Sequence, residues 1–87
     1  EGDVDTALML FKKSAENGNV IAQYTVGTIL LGRGDSSAIR WIRKSAESGY
    51  PEAQFYMGKL YYEGEYVEKD IPYAKKMLTL SKLTAAA

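Results

Sequence analysis

The chain has 87 residues, with 11 Lys and Arg against 11 Asp and Glu, and no histidine or cysteine. Its length fits one small domain, and its zero net charge argues against a nucleic-acid partner, which calls for a clear basic excess. Without His or Cys it lacks the commonest general base near neutral pH, Cys–His nucleophiles, disulfides and the usual transition-metal ligands, and no apolar run approaches the roughly 18 residues of a membrane span.

In chain order, a first helix, α1, is expected from about Asp3 to Asn17. Asp3 and Asp5 sit near its start, where the helix dipole favours negative charge. Leu10, Phe11, Ser14 and Ala15 are its expected inner face. The second helix, α2, is expected over Val20–Leu31, with Ala22, Val26, Ile29 and Leu30 inward. The link Gly-Arg-Gly-Asp-Ser-Ser follows, and Asp35 or Ser36 is placed to cap α3, expected over Ser37–Ser48. At about 100° per residue, Ala38, Trp41, Ile42, Ser45 and Ala46 share one side of α3 and Arg40, Arg43, Lys44 and Glu47 the other. Gly49 suits the exit from that helix, and Pro51 suits the first turn of the next. The fourth helix, α4, is expected over residues 51–63, with Ala53, Tyr56, Met57, Leu60 and Tyr61 on one face. Gly58 lies in its middle. Glycine there costs up to about 1 kcal/mol against alanine, which is tolerated where a neighbouring backbone comes close. Gly64 ends α4. An acidic loop leads to Asp70, a capping residue for α5, with Pro72 in its first turn and an end near Leu83. Ala85–Ala87 are expected to be a frayed end.

The chain copies itself. Residues 12–18 read Lys-Lys-Ser-Ala-Glu-Asn-Gly and residues 43–49 read Arg-Lys-Ser-Ala-Glu-Ser-Gly, an offset of 31. The same offset pairs Ala7 with Ala38, Phe11 with Ile42, Gln23 with Gln54 and Gly27 with Gly58. Beyond residue 64 the spacing lengthens to 36, pairing Ala38 with Ala74 and Ser45 with Ser81. A period of this size marks a stacked helical array.

Ala38, Trp41, Ile42, Lys44, Ser45, Ala46, Gly49, Ala53, Gln54, Met57, Gly58, Leu60, Tyr61 and Gly64 carry a pattern that resembles the Sel-one-like repeat, a relative of the tetratricopeptide repeat. The match covers nearly the whole chain. Ser14 and Ser45 depart from it, since the family usually has alanine there. The resemblance implies an all-α fold, an α/α solenoid of antiparallel helix pairs with five helices in about two and a half repeats. The expected division is 1–35, 36–69 and a first helix of a third repeat at 70–87, forming one domain and a fragment of a longer array.

The function implied is a non-catalytic scaffold or adaptor for a protein or peptide. Family members resemble assembly platforms of bacterial envelope, secretion and virulence systems and of eukaryotic quality control. The first helix of each pair would line a concave groove. Eight of the 11 basic residues lie in those helices, so an acidic partner is favoured. The groove candidates are Met9, Lys12, Lys13, Arg40, Arg43, Lys44 and Lys76, with Tyr62 as a further contact residue. The bland reading is a solvated face that keeps the protein in solution. Leu80 and Leu83 are expected on the outward side of α5, as a face for self-association or further repeats. The alternatives are a small-ligand or cell-wall enzyme, as suggested for cysteine-rich relatives, or a purely structural stacking unit.

No cofactor or metal site is read. Glu63, Glu65, Glu68 and Asp70 cluster in one loop but lack the spacing of a calcium loop. Gly32-Arg33-Gly34-Asp35 matches a cell-adhesion tetrad in letters. The plainer reading is a helix-ending turn in which Asp35 caps α3.

Overall fold

Asp3–Glu16 (α1), Val20–Gly32 (α2), Ala38–Glu47 (α3), Pro51–Glu63 (α4) and Ile71–Ala86 (α5) are the five helices among the described residues. The structure is a computed structural model and describes residues 3–86, among which no strand occurs. Each helix packs on the next, α1 on α2 through to α4 on α5. The result is a slab of 39 × 28 × 17 Å.

The turns from α1 to α2 and from α3 to α4 are built alike. Gly18 and Gly49 hold φ of +98° and +100°, which only glycine adopts without crowding a Cβ. The Gly18 N–H donates to the Ala15 carbonyl at 3.0 Å and the Asn19 N–H to Ser14 at 3.2 Å. Gly49 and Tyr50 repeat this on Ala46 and Ser45 at 3.1 and 3.2 Å. These bonds satisfy carbonyls that a helix end otherwise leaves unpaired. The start of the next helix differs between copies. Asn19 Oδ1 accepts from the Ala22 N–H at 2.9 Å, whereas Pro51 has no N–H to satisfy.

Buried polar side chains tie the helices together at matching positions. Gln23 Nε2 donates to the Ala15 carbonyl at 3.2 Å, and Gln54 Nε2 to Ala46 at 3.1 Å. Ser45 Oγ donates to the Val20 carbonyl at 2.7 Å, and Ser81 Oγ to Pro51 at 3.0 Å. Their hydroxyls join α3 to α2 and α5 to α4. Each such bond contributes about 0.5–1.5 kcal/mol net.

The core has two parts. Ala15, Ala22, Val26, Leu30, Ala38 and Trp41 form one, with Leu8 and Leu31 against it. Ile42, Ala46, Ala53, Met57, Leu60 and Met77 form the other. Burying a side chain such as Ile42 or Met57 contributes about 1.5–3 kcal/mol before entropy. Gly27 and Gly58 are buried where helices touch. A Cβ on Gly27 would run into the Ile42 side chain and lie 3.1 Å from the Ala38 carbonyl oxygen. On Gly58 it would lie 2.7 Å from Leu78 Cγ and 3.2 Å from the Ala74 carbonyl oxygen.

Some expectations need correction. Leu10 and Phe11 were assigned to an inner face but are 64% and 41% exposed. Their counterparts Trp41 and Ile42 are buried because α2 covers that flank of α3. α1 has a neighbour on one flank only. Leu80 packs half-buried against the second core and does not face outward, while Leu83 is exposed. α5 continues past Leu83 to Ala86, so Ala85 and Ala86 are helical. Ala87 lies outside the described residues. The Asp70 cap is present, with its Oδ1 accepting from the Tyr73 N–H at 3.1 Å.

Gly27→Ala is expected to lower stability by about 1–3 kcal/mol through overpacking. Gly32→Ala, where an added Cβ meets nothing within 4 Å, should be neutral or stabilising by up to about 1 kcal/mol. Thermal unfolding followed by circular dichroism distinguishes the two; equal midpoints would show that the interhelical approach at Gly27 is looser than described.

Candidate functional site: a basic face on α1 and α3

α3 buries Ala38, Trp41, Ile42, Ser45 and Ala46, which leaves Arg40 and Lys44 on its open side, one turn apart and both exposed. Trp41 lies between them at the edge of the core and is 8% exposed. The Arg40 Cζ stands 5.8 Å and the Lys44 Nζ 5.9 Å from the Trp41 ring centroid. Each cation–π contact of this kind contributes about 0.5–1 kcal/mol. The Trp41 Nε1–H is buried and has no acceptor among the protein atoms. A buried donor left unpaired costs about 1–3 kcal/mol, so it stands out in a core where Gln23 Nε2, Gln54 Nε2, Ser45 and Ser81 all find carbonyls.

Glu16 from the end of α1 joins Arg40, Trp41 and Lys44 around a groove of about 240 Å³. A second groove of about 320 Å³, lined by Met9, Lys12, Lys13 and Glu16, adjoins it through Glu16. Five of the sequence-predicted residues, Met9, Lys12, Lys13, Arg40 and Lys44, thus border one continuous surface. Among the described residues the ion pair is Arg33 with Asp5 at 2.7 Å. Lys12, Lys13, Arg40 and Lys44 form none.

The other predicted residues lie elsewhere. Arg43 is half-buried, and its guanidinium donates to the Tyr61 hydroxyl and stands 5.9 Å from that ring's centroid. Partial burial alone would lower its pKa, but the interactions with Tyr61 and Tyr73 together outweigh this and hold it above the usual arginine value. Tyr61 in turn meets Tyr73 edge-on at 4.5 Å, and burial, with Glu47 nearby, pushes the Tyr73 phenol up. Arg43 is therefore a packing residue between α3 and α4. Lys76 is exposed on α5 and Tyr62 is 54% exposed on α4, and neither borders the two basic grooves. Sequence reasoning placed Trp41 in the core and gave Glu16 no role. The available signal was an aromatic residue flanked by cations at i−1 and i+3, which one helical turn brings over its ring.

A larger groove of about 440 Å³ lies at the opposite end, lined by Phe55, Leu78, Thr79, Ser81, Lys82 and Ala85. It is an apolar end surface. Phe55 is 56% exposed, whereas its counterpart one repeat earlier, Tyr24, is covered edge-on by Tyr50 and Tyr56 at 5.5 and 6.3 Å.

The sequence profile of the Sel1 repeat matches residues 1–19, 20–50 and 51–81. The chain belongs to the Sel1 repeat family. The family's repeats are phased so that α2 with α3, and α4 with α5, each form one unit. A Sel1 repeat protein of Oxalobacter formigenes has a similar crystal structure, with a TM-score of 0.80 and 35% identity, over 88% of this chain and 62% of that one. An F-box protein of Arabidopsis thaliana is 29% identical over 70 residues, which is 77% of this chain and 20% of that protein. The chain thus spans a fifth of the plant protein and less than two thirds of the bacterial one. Sel1 repeats are generally protein–protein interaction modules and typically non-catalytic, which supports a scaffold role. No helix of the described residues is long and apolar enough to cross a membrane.

The glycine turn between α2 and α3 engages both of its charged residues. Arg33 pairs with Asp5. Asp35 Oδ1 accepts from the Ser37 N–H at 2.8 Å and from its hydroxyl at 2.7 Å, and these bonds hold the carboxyl below its usual range. A carboxylate with a depressed folded pKa stabilises the fold above the ordinary carboxylate pKa, and that contribution fades as pH falls through the folded value. Asp35→Ala is therefore expected to lower the unfolding midpoint at neutral pH, with the gap to wild type closing under acid. A gap constant across the titration would show that the ionised form of Asp35 does not matter to the turn.

Proposed function

We propose that this Sel1 repeat domain is a binding scaffold that takes an acidic peptide segment of a partner protein on the face formed by α1 and α3. The observation that carries this reading is the set of cations at Lys12, Lys13, Arg40 and Lys44, contiguous through the two adjoining grooves and without ion-pair partners among the described residues. Unpaired cations on one surface attract a segment of opposite sign and speed its encounter. Exposed apolar groups beside them, Met9 at 66% and Leu10 at 64% exposure, add area that a peptide could cover. Arg43 is not assigned to this face, since Tyr61 holds it.

A second reading rests on a different surface. Phe55 with Leu78 and Ala85 at one end of the slab, and Leu83 beyond them, would seat a further helix, from another repeat or a second copy, in the way Tyr50 and Tyr56 cover Tyr24. This reading is compatible with the first, because the two surfaces share no residue.

Fluorescence anisotropy of a labelled oligoglutamate tests the acidic-segment reading. Binding is expected to weaken steeply as salt rises. The double variant Lys12→Glu/Arg40→Glu should lose it, while Lys59→Glu, on the exposed side of α4, should bind as wild type. Equal affinity for all three proteins would rule the basic face out.

A further inference from the structure

We infer that the groove between α1 and α3 contains a carboxylate-recognition pocket in which the Trp41 indole N–H is the central donor and Arg40 and Lys44 are the flanking cations. This rests on the acidic-segment reading and specifies which atoms meet the partner's side-chain carboxylate.

Three observations converge. The indole N–H is buried with no acceptor, in a side chain that is more than nine-tenths buried. Gln23 Nε2, Gln54 Nε2 and Ser45 Oγ pair with carbonyls, and the other donor left unpaired, the Tyr73 hydroxyl, does not border this groove. An orphaned donor in a residue that borders a groove has the chemistry of a site that awaits an acceptor. Next, the residues bordering that groove are Glu16, Arg40, Trp41 and Lys44, so the two cations reach whatever occupies it. Finally, Arg40 and Lys44 lie over the ring at 5.8 and 5.9 Å without carboxylate partners among the described residues. Both are exposed, so they can move off the ring to grip an arriving anion and open a path to the N–H.

The charge of the pocket selects the kind of anion. Arg40 and Lys44 contribute two positive charges and Glu16 one negative, which leaves a surplus of one. A side-chain carboxylate carries one negative charge and fits that surplus. A phosphate near its dianionic form carries more and meets the Glu16 carboxylate at the rim. The planar fork of a guanidinium also matches the two oxygens of a carboxylate, which leaves a further lone pair on each oxygen, one of which the indole N–H can reach. The tail of Lys12, Lys13 and Met9 then follows along α1 and would hold the residues flanking that carboxylate.

Trp41 is the sole tryptophan, so the chain gives one indole N–H resonance in a proton–nitrogen correlation spectrum. On titration with unlabelled oligoglutamate that resonance is expected to move downfield and saturate, while inorganic phosphate at equal concentration moves it little. Trp41→Phe, which keeps an aromatic ring under the cations but removes the N–H together with part of the indole's volume, should weaken oligoglutamate binding about tenfold. Its folding is checked by circular dichroism, and the wild-type titration stands whether or not the variant folds. Binding that responds to Lys12→Glu/Arg40→Glu while the indole resonance stays fixed overturns the pocket but leaves the acidic face in place. A phosphate shift equal to that of oligoglutamate overturns the preference for carboxylate. No binding of oligoglutamate by the wild type overturns both readings.

Discussion

Two helix pairs in this chain touch so closely that the contact admits only glycine. At Gly27 and Gly58 the even-numbered helices lie directly on the backbone of the helix that follows. That approach lets Ser45 and Ser81 reach the carbonyls of Val20 and Pro51 across the interface. It also brings Ile42 and Met77 into one core with Ala46, Ala53, Met57 and Leu60. A solenoid of this kind has no central core, because each element is stable only through its immediate neighbours. The spacing set at the glycines therefore fixes where every other side chain falls, those of the basic face included.

The polar ties give the stack its register. Apolar faces alone allow a helix to slide by a turn at small cost. Gln23 and Gln54 forbid this, because each buried amide has its carbonyl in reach in one register only. A slip would leave a buried donor unpaired, at about 1–3 kcal/mol. The domain is small and its stability correspondingly modest, so such bonds decide which packing survives. The Trp41 N–H departs from this, a buried donor left unpaired as the Tyr73 hydroxyl also is. Departures from polar satisfaction tend to gather at functional surfaces, and this one borders the groove where the unpaired cations lie.

The same stacking separates residues that look alike in sequence. Arg40, Arg43 and Lys44 all fall on the polar side of α3 by angular position. Arg43 faces the following hairpin and is taken by Tyr61. Arg40 and Lys44 share a groove with Glu16 of α1 without forming an ion pair among the described residues, and stay available. A basic stripe thus divides into one residue held by packing and two left exposed, according to which neighbour lies on each flank.

The sequence alone determined the five helices, their order and their inner faces within α2, α3 and α4, because the 3.6-residue period, the glycine stops and the offset of 31 all act locally or by repetition. It also brought Met9, Lys12, Lys13, Arg40 and Lys44 together, since equivalent rows of a repeat fall on the same side. Exposure at the ends was decided by the tertiary structure. Leu10 and Phe11 repeat the apolar pattern of Trp41 and Ile42, yet stand open because burial depends on a neighbour and not on the pattern. The packing of Arg43 under Tyr61, the half-burial of Leu80 and the unpaired Trp41 N–H were likewise set by contacts between helices. Periodicity gives the direction of a side chain from its own helix axis; what it meets there depends on the distance and tilt of the next helix, which two glycines and two serines hold in place.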